Sequence, residues 1–148
     1  MLSQKCQYAL RAAFQLAKHY GASPVRIAEI AEAQAIPKRF LEAILAQLKQ
    51  GGLVESRRGR EGGYMLARTP EAISVGEIIR FIEGPIAPVG CVADDAEILC
   101  PLRGDCVFMG MWQRAGDALA AVYDGTTLDD LLAEEKQRRG QGALCYSI

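Results

Sequence analysis

Apolar side chains recur at three- and four-residue intervals through most of the chain, the spacing that gathers them on one face of a helix. Tyr8, Leu10, Ala13, Phe14 and Ala17 define such a face within 3–20, where Ser3 is placed to cap the first turn and Gly21 to stop the last. After Ser23 and Pro24, the positions of Ile27, Ile30 and Ala31 predict a short second helix over 26–33. A turn at Gln34, Ala35 and Ile36 leads into a third helix over 37–50, striped by Leu41, Ile44, Leu45 and Leu48. Pro37 suits its first position, where no backbone N–H is needed, and Gly51 with Gly52 ends it.

The period then changes. Residues 53–56 and 64–67 read as two short strands around a Gly- and Arg-rich loop, which together make a β-hairpin. Helical spacing resumes over 74–83, where Ser74 and Glu77 match a capping box. Residues 84–104 hold three prolines, three glycines and two cysteines and read as a loop. Phe108, Met111, Trp112, Ala115, Leu119 and Val122 stripe a long helix over 106–123, with Asp105 as its cap. Gly125 ends it, and Thr127, Asp129 and Asp130 start a last helix over 127–139. The predicted fold is mainly α with a small β-hairpin wing. A winged helix-turn-helix domain occupies 1–83 and a cysteine-bearing sensor loop 84–104. A dimerisation helix and a C-terminal helix share 105–139, and a flexible tail covers 140–148. The long stripe is too apolar to stay bare, so a homodimer is expected through it.

Composition narrows the classes. Half of the 148 residues are apolar, yet no run approaches the roughly 18 apolar residues that a membrane span needs. The first residues lack the apolar stretch and cleavage site of an export signal, so a cytoplasmic protein without a membrane partner is expected. The net charge of −1 conceals a division. Residues 1–68 carry eleven Lys and Arg against five acids, whereas 69–148 carry six against thirteen. A basic first half fits a polyanion, and the acidic second half is a separate element. No nucleophile, base and orienter form a recognisable set, the sole histidine, His19, has no partner motif, and the glycines over 59–63 precede no helix. An enzyme is not expected.

Two short helices joined by a tight turn, with Lys38 and Arg39 at the start of the second, have the helix-turn-helix layout. Such a helix presents its first turn to base edges and phosphates in the major groove of double-stranded DNA, here an operator. The hairpin adds Arg57, Arg58 and Arg60, interleaved with Gly59, Gly62 and Gly63 and followed by Tyr64. Glycine permits close backbone approach and arginine suits a narrow minor groove.

Cys91, Cys100 and Cys106 place three thiols within 16 residues, and Cys6 and Cys145 lie far from them. Clustered cysteines in a reducing compartment point to metal or redox chemistry more than to structural disulfides. Cys106 in a helix's first turn would favour the thiolate, and Pro101 would stiffen the approach of Cys100. An iron–sulfur cluster with an exchangeable fourth ligand leads this reading, and two-iron and four-iron forms fit alike. A metal-free thiol or disulfide switch is the main rival. Zinc would want short Cys-x2–4-Cys pairs that this chain lacks. Plain buried cysteines would want a less polar loop than one bearing Asp94, Asp95, Glu97, Arg103 and Asp105.

Taken together, these motifs make the chain resemble the winged-helix transcriptional regulators of the IscR, NsrR and RirA type. The likeness runs over nearly the whole chain. It is carried by Tyr8-Ala9, the segment 36–48, Arg58-Gly59-x-x-Gly62-Gly63-Tyr64, Ser74-Val75-Gly76-Glu77, and the three cysteines followed by Trp112. The resemblance implies a dimer joined through the long helix, with a cluster near the partner's DNA-binding domain and two-state coupling to operator binding. It also exposes a departure. The position where some members use histidine is Met109, and the position where others use a carboxylate of the first helix is Gln7. Neither is a habitual iron ligand, which leaves Cys6 or a small molecule as candidate fourth ligands. Cys6 reads more readily as a half-buried residue of the first helix, and Cys145 as a bystander or a reactive thiol.

Overall fold

A computed structural model of the protein describes residues 1–93 and 100–145, with side chains to residue 142. Six helices and one hairpin make up the described chain: α1 Gln4–Lys18, α2 Ile27–Gln34, α3 Lys38–Gln50, β1 Val54–Arg57, β2 Gly63–Leu66, α4 Val75–Glu83, α5 Met109–Asp124 and α6 Leu128–Cys145. Single 3-10 turns at Pro70–Ala72 and Gly90–Val92 flank α4.

The helix α1 is the centre of the molecule. Ala9, Ala12, Ala13 and Leu16 are buried along it, and the small alanines let α2, α3, α4 and α6 all pack against one rod. From α3 come Leu41, Ile44, Leu45 and Leu48, the stripe read from the sequence, all buried. Ile30, Leu53, Ile73, Ile78 and Leu128 close the same core from five other segments. A second, smaller cluster joins Cys6 to Val75 and Ile79, fixing α4 against the start of α1.

Capping side chains set several boundaries. The Cys6 N–H donates to Ser3 Oγ (3.1 Å) and the Glu77 N–H to Ser74 Oγ (3.1 Å), as expected of both serines. The reciprocal arm of the Ser74 box is not made, because the Glu77 carboxylate pairs with Arg68 instead of reaching back to the Ser74 N–H. A full reciprocal box stands at the start of α6 instead. There Asp130 N–H donates to Thr127 Oγ1 (3.1 Å) and Thr127 N–H to the Asp130 carboxylate (2.9 Å).

Several boundaries differ from expectation, the strands by a single residue and the following four with more consequence. Pro37 precedes α3 in an extended conformation and caps it rather than opening it. The second helix lies one residue further along than 26–33. The long helix begins at Met109, not Cys106, because residues 100–106 form turns in which Asp105 N–H bonds the Leu102 carbonyl (2.9 Å). Asp105 therefore does not cap it; Phe108 stands at the cap position. Lastly, α6 continues through Cys145, so the stretch from Gly140 to Cys145 is helical rather than an irregular tail.

Candidate nucleic-acid interface and cysteine region

The turn between α2 and α3 is held from behind. Ala35 adopts a left-handed conformation (φ 51°, ψ 48°), which costs a side chain about 1 kcal/mol or more. The Arg11 guanidinium offsets this by donating to the carbonyls of Gln34 and Ala35, the latter at 3.3 Å. A cation on the last carbonyls of a helix also meets the negative end of its dipole. Arg11 thus sets the angle at which α3 leaves α2, a role that nothing in the local sequence signals.

On α3 the first turn is open. Lys38, Arg39, Phe40, Glu42 and Ala43 are all exposed, opposite the buried leucine stripe. Lys38 projects without a partner among the described residues. The Arg39 guanidinium lies 4.7 Å from the Phe40 ring centroid, and Phe40 in turn meets Tyr8 of α1 at 6.3 Å between ring centroids. Further along, Lys49 Nζ donates to Ser56 Oγ (2.7 Å), pinning the end of α3 to β1.

The wing follows directly. Strands β1 and β2 pair antiparallel, with Val54 opposite Leu66 and Arg57 opposite Gly63. Its root is stitched to the α1–α2 connection by two backbone bonds of 2.8 Å between Val25 and Tyr64. Tyr64 is half-buried there, against the main core. The glycines divide by role. A Cβ on Gly63 would lie 2.4 Å from the Val25 carbonyl oxygen, and one on Gly62 2.3 Å from that of Arg57, so close backbone packing within the protein requires both. Gly59 has a positive φ of 116° and open space around it, as the turning residue of the tip. Arg57, Arg58 and Arg60 are exposed. Arg26, unremarkable in the sequence, donates through Nη2 to the Arg60 carbonyl (2.6 Å) and ties the tip to the start of α2.

The cysteines are spread over three local structures. Cys91 is half-buried in the 3-10 turn Gly90–Val92, which packs on α5. Pro88 comes close to α5 at Gly116, where even a methyl group would sit 3.3 Å from the proline ring. Cys100 is exposed, its carbonyl accepting from Arg103 N–H (3.0 Å). Cys106 is half-buried in the turn ahead of α5, its carbonyl accepting from Met109 N–H (3.2 Å). It is therefore not in the helix's first turn, and the helix-terminus argument for its thiolate does not apply. Residues 94–99, including Asp94, Asp95 and Glu97, lie outside the described residues. Three thiols are the right donors for an iron–sulfur centre. Among the described residues, however, no three Cys, His, Asp or Glu side chains converge on a metal-sized point.

The candidate fourth ligands fare unequally. Cys6 is fully buried, and burial, reinforced by the nearby Glu83 charge, pushes its thiol up to about 11 from the usual 9.0. A thiol so held is a core residue, not a ready metal ligand. Gln7 is exposed, but its amide donates to the Leu2 carbonyl (3.1 Å). Met109 is half-buried at the first position of α5. The side chain of Cys145 lies outside those described.

Along α5, Phe108, Met111, Leu119 and Val122 are 40–64% exposed, while Trp112 and Ala115 are half-buried. The helix is braced by a bidentate pair between Arg80 and Asp124 (2.5 and 2.9 Å). Among the described residues no helix is long and apolar enough to cross a membrane.

Residues 2–134 match the model of a family described as iron-dependent transcriptional regulators, Rrf2. The chain is 38% identical over 130 residues to the HTH-type transcriptional regulator CymR of Bacillus subtilis, covering 88% of each chain. It is 30% identical over 135 residues to IscR of Escherichia coli, covering 91% of this chain and 82% of that one. Among solved structures, IscR of T. potens superposes with a TM-score of 0.76 at 35% identity, covering 93% of this chain and 90% of the other. CymR, described as the global cysteine regulator of B. subtilis, also superposes at 0.76, covering 90% and 97%. With its winged-helix architecture and these relatives, none of them named as an enzyme, the chain belongs to the Rrf2 family of transcriptional regulators.

Proposed function

We propose that the protein binds operator DNA as a homodimer and that Cys91, Cys100 and Cys106 tune this binding by holding an iron–sulfur cluster. The observation that carries the DNA reading is the coupling of an open cationic first turn on α3 to an arginine wing anchored at both its root and its tip. Lys38 and Arg39 meet the major groove, and Arg57, Arg58 and Arg60 the adjacent backbone or minor groove. The exposed row Phe108, Met111, Leu119 and Val122, with Trp112 and Ala115 beside it, supports dimerisation along α5. A dimer places two reading heads at a fixed spacing on a two-fold operator.

The sensing half rests on the three thiols and on the family's iron dependence. A bound cluster would supply a redox- and ligand-sensitive centre. The chain's own contribution is to present Cys91 from a turn packed on α5 and Cys106 from the turn that leads into it, so that drawing the thiols together bears on the helix that joins the protomers. A cluster-free thiol switch in the cytoplasm is the second reading. It is favoured by the exposed Cys100, by the absence of a preformed convergent site among the described residues, and by the likeness to a cysteine regulator.

One experiment separates them. Full-length protein isolated without oxygen is analysed for iron and acid-labile sulfide, then titrated with its operator before and after oxidant, alongside Cys91→Ala, Cys100→Ala and Cys106→Ala. Iron and sulfide lost in each variant, together with altered operator binding, is the expected result. Wild-type protein that lacks iron and sulfide yet responds to oxidant establishes the thiol switch. Variants that change neither metal content nor operator occupancy remove the sensing role of these residues.

A further inference from the structure

Between the first turns of α1 and those of α3 lies a cleft of about 400 Å³, within the usual range of roughly 300–1,000 Å³ for small-molecule sites. Tyr8 and Phe40 line it with aromatic surface, Ala43 and Ile44 with aliphatic surface, and Lys5 and Arg39 with positive charge. No acidic residue lines it. Three other cavities of the described molecule each carry carboxylates: Glu29 and Glu32 beside His19, Glu134 and Glu135 between α1 and α6, and Glu61 beneath the wing. The α1–α3 cleft alone among these four combines aromatic rings with cations that nothing in its lining neutralises.

The cations Lys5 and Arg39 also carry no ion pair among the described residues, and Arg39 is drawn along α3 by the Phe40 ring. Glu83 feels the Lys5 charge, but its carboxylate is occupied by the N–H and hydroxyl of Ser3. A planar ring against Tyr8 and Phe40 would use the aromatic surface, and an attached carboxylate would meet the Arg39 guanidinium and the Lys5 ammonium. An inorganic anion would leave the rings unused, and a neutral ring would leave the charges unmet.

We propose that this cleft is an effector site for a small aromatic carboxylate, and that its occupation weakens operator binding. Arg39 and Ala43 lie on the exposed face of α3, so an occupant covers surface beside the reading face and neutralises charge that would otherwise meet phosphate. Because linkage is reciprocal, operator and carboxylate then lower each other's affinity by the same factor. The site itself stands independently of the DNA reading; the coupling rests on it.

The test uses 1-naphthoate as probe in calorimetric titrations of the full chain, with 1-naphthalenemethanol as the uncharged control. Saturable binding of one naphthoate per chain is expected, with affinity lowered about tenfold or more in Lys5→Gln, where a charge-assisted contact is lost. Ala43→Leu, which fills the cleft, should lower it as well, and the alcohol should bind more weakly than the carboxylate. Operator affinity of the wild type should fall in saturating naphthoate, and that of Lys5→Gln should respond less. No saturable binding, or equal binding by wild type and both variants, overturns the site. Naphthoate binding that leaves operator affinity unchanged overturns the coupling. Failure of the unliganded protein to bind any operator overturns the DNA reading and the coupling with it, whereas the naphthoate result still decides the site.

Discussion

The segment before Gly84 and the segment from Gly84 to Gly125 treat their apolar residues in opposite ways. In the first, the leucine stripe of α3 and the small face of α1 are sealed by four helices and a hairpin. In the second, Gly116 is the one buried residue among those described, and Leu102, Val107, Phe108, Met111, Leu119 and Val122 stand exposed. A helix as apolar as α5 is tolerated on the surface of a single chain only when something else covers it. The winged-helix part is thus closed over its own core within one chain, whereas the cysteine-bearing part leaves an apolar helix face uncovered. That division fits the proposed sensing role, since the region least stabilised by its own core responds most to a ligand or partner.

The comparison breaks most directly through the core. Leu45→Ala should lower the unfolding free energy by about 2–5 kcal/mol in urea titrations, because the fully buried side chain leaves a cavity. Phe108→Ala, measured on protein dilute enough to be monomeric, should change it by less than about 0.5 kcal/mol. Equal losses would erase the contrast between the halves. Next in size is association: Val122→Asp, at a residue 64% exposed, should weaken self-association at least about tenfold in sedimentation equilibrium while leaving the monomer's unfolding midpoint in place. An unaltered association constant would move the dimer surface off this part of α5.

Smaller effects sharpen the picture of the reading head. Arg58→Ala should weaken operator binding across sequences and reduce the salt slope by about one, the signature of a lost phosphate contact. An unchanged slope would take the wing tip out of the interface. The smallest effect concerns Cys6. Its folded-state thiol is raised to about 11 against 9.0 for a free thiol, so the unfolded chain releases that proton first as pH rises. Stability from this group is therefore fully present below pH 9.0 and declines between 9.0 and about 11. Thermal melts of Cys6→Ala should fall less steeply than those of the wild type across that window. Parallel curves would mean that Cys6 ionises as readily in the folded protein as in the unfolded chain.

Much of the reading head was legible because its signals are local. The α3 stripe, the serine caps of α1 and α4 and the turning Gly59 and Gly62 of the wing each act within a few residues, and the structure uses each nearby. Legibility failed where a local preference met a competing bond. Asp105 is a good cap by type, but turns run on past it, with Asp105 N–H on the Leu102 carbonyl and Met109 N–H on the Cys106 carbonyl, so α5 starts later and Cys106 is left outside it. Gly140 and Gly142 each cost a helix about 1 kcal/mol, yet α6 runs through both. The Glu134–Arg138 and Glu135–Arg139 pairs in its preceding turns contribute about 0.3–0.5 kcal/mol each, and Lys18 of α1 holds Glu135 from the side (3.0 Å).

By itself the sequence determined which segments are helical, which face of each is apolar, and that a cationic head precedes a thiol-bearing region, because those properties depend on neighbours a few positions apart. Tertiary structure decided what depends on residues far apart in the chain. It set Arg11 behind the Ala35 turn and Arg26 beneath the wing tip, buried Cys6 among α1, α4 and α5, and opened the cleft between Lys5 and Arg39. No local pattern encodes such pairings, since each forms only when packing of the core brings two distant segments within reach.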